Sequence, residues 1–85
     1  MKKNIARDSA QTYLSATPSV CHGRLVFRGT RIPVATILDL LASGMPLEEI
    51  LRGYPSLSRK AVQAAILYAR RRIEGEEFIP VKKIR

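Results

Sequence analysis

The sequence predicts a mainly α-helical domain in which a small N-terminal β-hairpin precedes three helices, the last two in a helix-turn-helix layout. Three observations lead to this fold class. The chain has 85 residues, which is enough for one small domain and too few for two. Apolar side chains recur at helical spacing from position 34 to position 73. A short β-prone run at positions 25–27 lies ahead of the first helical stretch.

Composition and charge limit the class of protein. Hydrophobic residues make up 46% of the chain and charged residues 26%, which is typical of a globular protein rather than a disordered one. The net charge of +8 favours a polyanionic partner, nucleic acid first and an anionic membrane surface second. No apolar run approaches the roughly 18 residues of a membrane span, and no secretory signal follows the basic start. We therefore expect a soluble, cytoplasmic protein.

The N-terminal part predicts an arm and the hairpin. Residues 1–12 are polar and without pattern, and we expect them to form a flexible basic arm. The β-prone residues 25–27 precede a turn signal at positions 28–29, and residues 30–32 can form the returning strand. Residues 13–14 offer a further short strand. Because a two-stranded hairpin is marginal on its own, it must pack against the helices.

Two helices are predicted in the middle of the chain. Pro33 suits the first position of a helix, and Gly44 supplies a C-terminal stop. A second, short helix begins near Pro46 and ends at positions 53–55. Acidic residues at positions 48–49 fall in its first turn, where they complement the helix dipole. The residues predicted to face inward from these two helices are Val34, Ile37, Leu38, Leu41, Leu47, Ile50 and Leu51.

The third helix is the longest. Ser58 is a good N-cap, the helix runs to about Glu74, and Gly75 follows its end. At about 100° per residue, one apolar stripe is predicted from Val62, Ala65, Ile66, Ala69 and Ile73. The opposite, solvent-facing side is predicted to carry Lys60, Gln63, Leu67 and Arg71. Leu67 is an exposed leucine in this arrangement. It could touch a thymine methyl, a partner protein or the returning C-terminal tail, and of these we expect packing under the tail.

The third helix also carries the clearest functional signal. Basic residues in the first turn of a helix oppose its dipole, yet Arg59 and Lys60 stand there. The N-terminal residues of a recognition helix meet base edges in the major groove, where Arg, Lys and Gln read guanine or adenine. We predict base contacts from Arg59, Lys60 and Gln63 and phosphate contacts from Arg70, Arg71 and Arg28. The alternatives are a solvated basic face without a specific ligand and, for an arginine of the hairpin, a structural ion pair with Glu49.

No group of residues predicts catalysis or a metal site. A metal ion needs at least three convergent ligands, and Cys21 and His22 are the only cysteine and histidine. A lone cysteine also excludes an intramolecular disulfide. The carboxylate pairs at positions 48–49 and 76–77 are sequence neighbours whose side chains diverge, so neither is a facing acid/base pair. We expect no enzyme, no cofactor and no metal ion, and the roles of Cys21 and His22 stay open.

Several of these residues form a specific combination of motifs, namely Gly29-Thr30-Arg31-Ile32-Pro33-Val34, Gly44, Glu48-Glu49-Ile50, Tyr54-Pro55-x-Leu57 and Ala64-Ala65-x-x-Tyr68-Ala69. The stretch that contains them, about residues 13–70, closely resembles domain-of-unknown-function family 433, a group of small prokaryotic proteins. The resemblance implies a homeodomain-like three-helix bundle preceded by a β-hairpin. It also implies an antitoxin role, because such proteins look like the VapB-type partners of PIN-like ribonuclease toxins, which typically bind their own promoters.

The chain departs from the usual pattern of that family at several positions. Pro46 stands where Ser or Thr commonly caps the second helix. His22 and Leu25 stand where a glycine and a proline are usual. Lys60 and Ala61 replace acidic residues that are common early in the third helix. This last change makes the helix more basic, which favours DNA contact.

We therefore expect a homodimeric, DNA-binding antitoxin that represses its own operon and neutralises a PIN-like ribonuclease toxin. Dimerisation would place two third helices in successive major grooves, roughly 34–36 Å apart. Residues 13–75 would form the hairpin and helical domain. Residues 76–85 would form an extended tail that binds the toxin through Phe78, Ile79, Val81, Lys82, Lys83 and Arg85.

Two other functions compete with this hypothesis. The main alternative is a protein-interaction module that binds an acidic partner without sequence-specific DNA binding. Such a module would bind DNA weakly, and the binding would vanish near physiological salt. RNA association has little support, because the chain has three Tyr, two Phe and no Trp, and no stacking platform is evident.

Overall fold

A computed structural model describes residues 10–75 of the chain. Residues 10–13 are helical and lead into strand β1, Leu14–Ser15. A single 3₁₀ turn at Cys21–Gly23 precedes strand β2, Val26–Phe27. Three helices follow, with α1 at Val34–Ala42, α2 at Leu47–Gly53 and α3 at Arg59–Glu74. The prediction of a mainly helical chain with a small N-terminal sheet is confirmed.

Two predicted segments extend beyond the described residues. Residues 10–12, the end of the expected arm, are helical, and residues 1–9 lie outside the described part. The expected tail, residues 76–85, also lies outside it. Within residues 10–75, no helix is long and apolar enough to cross a membrane.

The two strands form an antiparallel pair that differs from the predicted hairpin. The register places Leu14 opposite Phe27 and Ser15 opposite Val26. The predicted returning strand at residues 30–32 is wrong, because Val26 makes an isolated bridge to Pro33 and no ladder develops. The bridge is made by hydrogen bonds from the Phe27 N–H to the Ile32 carbonyl at 3.0 Å and from the Val34 N–H to the Leu25 carbonyl at 2.9 Å. The pairing ends there because α1 begins at Val34. The partner of β2 comes instead from the more distant β1.

The turn between β2 and α1 is fixed by Gly29 and Thr30. Gly29 has a φ of +81°, in the left-handed region that glycine occupies without strain. The Thr30 hydroxyl donates to the Phe27 carbonyl at 2.7 Å and accepts from the Ile32 N–H at 2.9 Å. These bonds satisfy backbone groups that a strand ladder would otherwise pair, and they direct the chain into α1.

The ends of the helices follow their local sequence signals. Gly44 has a φ of +97°, and the Met45 N–H donates to the Leu40 carbonyl at 3.1 Å, which satisfies a free carbonyl at the end of α1. The Ser58 hydroxyl accepts from the Ala61 N–H at 3.1 Å, so the predicted N-cap of α3 is confirmed. The predicted end of α3 before Gly75 is confirmed as well.

The core lies where the three helices and the sheet meet. Its largest fully buried side chains are Phe27, Ile37, Ile50, Val26 and Val62. Around them pack Leu14, Val34, Leu57, Ala61 and Ala65. Burying a Val, Ile or Phe side chain stabilises a fold by about 1.5–3 kcal/mol. Within the described residues no polar or charged side chain is buried, so the site must be sought on the surface.

The buried face of α3 differs from the predicted one. Its buried residues are Ala61, Val62, Ala64 and Ala65. Ile66 and Ile73, predicted to face inward, are 46% and 69% exposed. The small alanines let the α3 backbone approach α1 and β1 closely, so the helix turns this face to the core and the isoleucines to solvent. Leu67 and Arg71, predicted on the solvent side, are half-buried as a result.

Candidate nucleic-acid interface

One row of exposed side chains runs along α3 on the side away from the core. We call it the outer row, and its members are Arg59, Gln63, Ile66, Arg70 and Ile73. Spacings of three and four residues bring side chains to one face of a helix, and at 1.5 Å per residue this row is about 20 Å long. The outer row brings together three of the residues predicted to contact DNA.

The first member of the outer row is held by an ion pair between helices. The Nη2 atom of Arg59 lies 2.7 Å from the Oε2 atom of Glu48, in the first turn of α2. The hydrogen bond from Arg59 holds the pKa of the Glu48 carboxyl below its ordinary value of 4.5. Both side chains are more than half exposed, so solvent and an incoming ligand can reach the pair. The sequence gives no signal of this contact, because the partners are eleven residues apart.

The central and distal polar members differ in how they are engaged. Gln63 is exposed, and its amide can both donate and accept, which suits an adenine edge. The Nε atom of Arg70 lies 3.6 Å from the Oε2 atom of Glu74, one turn further along α3. Both side chains of this pair are more than half exposed, so a ligand can reach Arg70. Such intrahelical pairs are weak and are readily exchanged for a phosphate.

Two residues of α3 that were predicted to contact DNA lie off the outer row. Lys60 is exposed, but it is rotated by about 100° from Arg59 around the helix. Arg71 is half-buried, and its Nη1 atom is buried without a hydrogen-bond partner in the described part of the chain. The two side chains therefore flank the outer row and do not extend it.

Arg28, the remaining predicted phosphate contact, has a structural role that the sequence did not reveal. Its Nη2 atom donates to the carbonyls of Gln11 and Leu14, at 2.7 and 2.9 Å. These bonds tie the helical residues 10–13 to the turn after β2. The predicted alternative, an ion pair of a hairpin arginine with Glu49, is not what the structure shows for Arg28.

A groove of about 620 Å³ lies beside the sheet, and its lining residues are Ser15, Thr17, Val20, Val26, Arg28, Gly29, Thr30 and Arg31. Next to it, the Cys21 thiol donates to the Arg31 carbonyl at 3.4 Å. His22 has a φ of +58° and a ψ of +33°, so a non-glycine residue occupies the left-handed region. Among residues 10–75, no three His, Cys, Asp or Glu side chains are grouped to hold a metal ion.

The residues predicted to bind a toxin, Phe78, Ile79, Val81, Lys82, Lys83 and Arg85, lie outside the described residues. The described part of the candidate site therefore consists of α3 and the elements that pack against it.

Comparison with other proteins places this fold. A crystal structure of a DUF433 member protein from Anabaena variabilis ATCC 29413 superposes with a TM-score of 0.67 at 31% sequence identity, covering 86% of this chain and 79% of that one. The uncharacterized protein y4eO of Sinorhizobium fredii (strain NBRC 101917 / NGR234) is 32% identical over 75 residues, or 80% of this chain. The chain spans about a third of that relative, 34% of its length. The family model of DUF433, described as a protein of unknown function, matches residues 14–69, so the chain belongs to the DUF433 family.

Proposed function

We propose that the protein is a DNA-binding antitoxin that uses α3 as a recognition helix and represses its own operon. The observation that carries this proposal is the outer row, in which Arg59, Gln63 and Arg70 are exposed on one side of a helix that follows a shorter helix after a brief connection. In this reading α2, residues 54–58 and α3 are the helix-turn-helix of a homeodomain-like bundle.

The position of each polar member along α3 suggests its role. Arg59 and Gln63 lie in the first two turns, the part of a recognition helix that meets base edges. Arg70 lies about 16 Å beyond Arg59 along the helix, which exceeds the roughly 12 Å width of the major groove. Arg70 therefore contacts a phosphate at the far wall of the groove. Lys60 reaches the near backbone, and Arg71 must first leave its half-buried position.

Glu48 competes with the DNA base for the guanidinium of Arg59. A guanine edge offers two acceptors to an arginine, whereas Glu48 offers a full negative charge at 2.7 Å. Arg59 must release Glu48, or share its guanidinium with it, when DNA binds. Removal of the Glu48 charge therefore frees Arg59 and also removes a repulsion between the protein and the phosphates.

The family resemblance and the charge of the chain support the antitoxin role. VapB-type antitoxins pair with PIN-like ribonucleases, and a protein with a net charge of +8 is suited to an acidic partner. The protein would be a cytoplasmic homodimer, with two copies of α3 in successive major grooves. Residues 76–85 would supply a segment that engages the toxin.

A second candidate function is favoured by one observation. Ile66 and Ile73 are exposed on the outer row, and apolar side chains are suited to a protein partner more than to a phosphate backbone. A protein-interaction module without sequence-specific DNA binding would also present such a surface. The two functions differ in how DNA binding depends on salt and on sequence.

The experiment that separates them is a titration of labelled DNA, followed by fluorescence anisotropy. The probe is the segment upstream of the protein's own coding sequence, and the control is a shuffled DNA of equal length. We expect binding at physiological salt that prefers the upstream segment. Arg59→Ala should weaken this binding by about 1–3 kcal/mol, or five- to 150-fold, at its base pair. Glu48→Gln, the matched control, should bind at least as tightly as the wild type.

The opposite results support the interaction module. Equal affinity for the upstream and shuffled DNA, with loss of both complexes near physiological salt, would mean that only nonspecific phosphate contacts are made. The toxin claim has a separate check, because co-expression with a neighbouring gene for a PIN-like protein should yield a stable complex. Separate elution of the two products would contradict it.

A further inference from the structure

The outer row contains two isoleucines to which the proposed DNA recognition assigns no role. Ile66 and Ile73 are the large hydrophobic side chains that the described residues leave exposed, at 46% and 69%. They are seven residues apart, so they lie two turns apart on the same face of α3. A single exposed isoleucine is ordinary, but two in line with arginines form an amphipathic surface.

The position of Ile73 argues against a role in reading bases. If the first two turns of α3 meet base edges, Ile73 lies about 15 Å beyond Gln63 along the helix axis. This distance exceeds the roughly 12 Å width of the major groove. Ile73 would then face phosphates or solvent, where an apolar side chain gains nothing. The pair of isoleucines is better suited to a second ligand.

Charge selects among the proteins that could cover this surface. The outer row carries two arginines, Arg59 and Arg70, and each already lies within 4 Å of a carboxylate of this chain, Glu48 at 2.7 Å and Glu74 at 3.6 Å. The arginines are thus exposed and oriented for carboxylates. Helix α3 carries five basic residues and one acidic residue, so a second copy would bring another net charge of +4 to this row, which opposes self-association through it.

We propose that the outer row binds an acidic amphipathic helix of a partner protein, with Ile66 and Ile73 in the apolar seam and Arg59 and Arg70 paired to acidic residues beside it. The spacing of the row, alternately four and three residues, is that of one side of a helix–helix seam. The inference rests on the proposed function in one respect, because it assigns the acidic partner to the surface that α3 presents to DNA. The partner and DNA therefore exclude each other.

A synthetic peptide tests this inference with the full-length protein. The probe is a fluorescein-labelled helix of about 20 residues, with Leu at the a and d heptad positions and Glu at the e and g positions. We expect it to bind the wild type near physiological salt. The double variant Ile66→Ser with Ile73→Ser should bind it at least about tenfold more weakly, and the same peptide with Lys in place of Glu should not bind.

A matched pair of arginine variants locates the charge contribution. Arg70→Gln and Arg72→Gln remove the same charge from the same helix, but Arg72 is rotated by about 200° from Arg70 and lies off the outer row. We expect Arg70→Gln to weaken peptide binding several-fold and Arg72→Gln to leave it within twofold of the wild type. Equal losses for both variants would show a nonspecific charge effect and overturn the proposal.

The remaining outcomes identify other occupants. If the wild type is a dimer, the double isoleucine variant is a monomer and the peptide does not bind, then the row binds a second copy of the chain. A fall in the melting temperature of the double variant by more than a few degrees would assign it to another segment of this chain. A stable ternary complex of protein, peptide and DNA would overturn the claim that the partner and DNA bind the same surface. A failure of upstream DNA to bind would overturn the DNA-binding function alone, because the peptide result does not depend on it.

Discussion

His22 shows how one residue can limit the stability of this small domain. Its φ of +58° is in the left-handed region, where a side chain costs about 1 kcal/mol relative to glycine. The thiol of the preceding Cys21, bonded to the Arg31 carbonyl, helps to hold the turn against this strain.

We therefore expect His22→Gly to raise the free energy of unfolding by up to about 1 kcal/mol and His22→Val to lower it by 1 kcal/mol or more. Valine is β-branched, so its side chain is the least compatible with a positive φ. Urea denaturation followed by circular dichroism measures both changes. Equal stability of the glycine and valine variants would mean that the turn is not left-handed at this position.

A second prediction at the scale of the residue concerns the stability of Arg28 variants. Its guanidinium donates to the carbonyls of Gln11 and Leu14, and charged donors make the stronger hydrogen bonds. Arg28→Met keeps the aliphatic stem and should lower the free energy of unfolding by about 1–2 kcal/mol. Arg24→Met, an exposed control, should change it by less than about 0.5 kcal/mol. The prediction is wrong if urea denaturation finds the two variants equally stable.

At the scale of the element, the link between α2 and α3 makes part of the stability depend on pH. The pKa of Glu48 is lowered in the folded state by the hydrogen bond from Arg59. A carboxyl with a lowered folded pKa stabilises the fold above its unfolded pKa, and this contribution is lost as the pH falls from about 4.5 through the folded pKa. Arg59→Ala should raise the pKa of Glu48 toward its ordinary value. A carboxyl titration by NMR measures the shift, and an unchanged Glu48 pKa would contradict the ion pair.

The packing of α3 gives another prediction at this scale. Ala65 is fully buried, whereas its neighbour Ile66 is 46% exposed. Ala65→Leu should lower the free energy of unfolding by about 1–3 kcal/mol, because the added volume has no room against the core. Ile66→Ala should lower it by about 1 kcal/mol at most, since about half of the isoleucine is already exposed and alanine favours a helix. Thermal denaturation of this adjacent pair tests the orientation of the helix. A loss for Ile66→Ala as large as that for Ala65→Leu would place both residues inward, as the predicted stripe had them.

The elements also show which features a sequence can predict. The Ser58 cap and the Gly44 stop were predicted because each depends on atoms within five residues along the chain. The face of α3 was predicted in part, because Val62 and Ala65 are buried as expected, whereas Ile66 and Ile73 are exposed. Close helix packing selects the smaller residue, so the alanines form the rest of the buried face. Alanines at positions 61, 64 and 65 have helical spacing, and they were the available signal for the buried face.

Contacts between distant segments were beyond prediction for a physical reason. The pairing of Leu14 with Phe27, the bonds from Arg28 to Gln11 and the pair of Arg59 with Glu48 join residues 11 to 17 positions apart. Nothing local distinguishes these partners from other residues of the same charge or polarity. The sequence therefore predicted which residues of α3 belong to the candidate site. The hydrogen bonds of Arg28 and the ion pair of Arg59 depend on the fold and could not be predicted.

For the whole molecule, the described charged side chains lie at the surface. The small core is shared by three helices and a two-stranded sheet, and the polar groups lie outside it. One helix, α3, presents polar and apolar side chains in one line. In the account proposed here this line serves DNA and an acidic partner in turn, so that binding of the partner releases the DNA.

The most direct test of this account is to locate the DNA contact by NMR. Amide shifts of the isotope-labelled protein are compared before and after addition of the upstream DNA near physiological salt. The account predicts that the perturbed residues lie along α3, with Arg59 and Gln63 most affected, and at the start of α2 where Glu48 loses its partner. Perturbation confined to the groove around Gly29 and Arg31, with α3 unchanged, would contradict it.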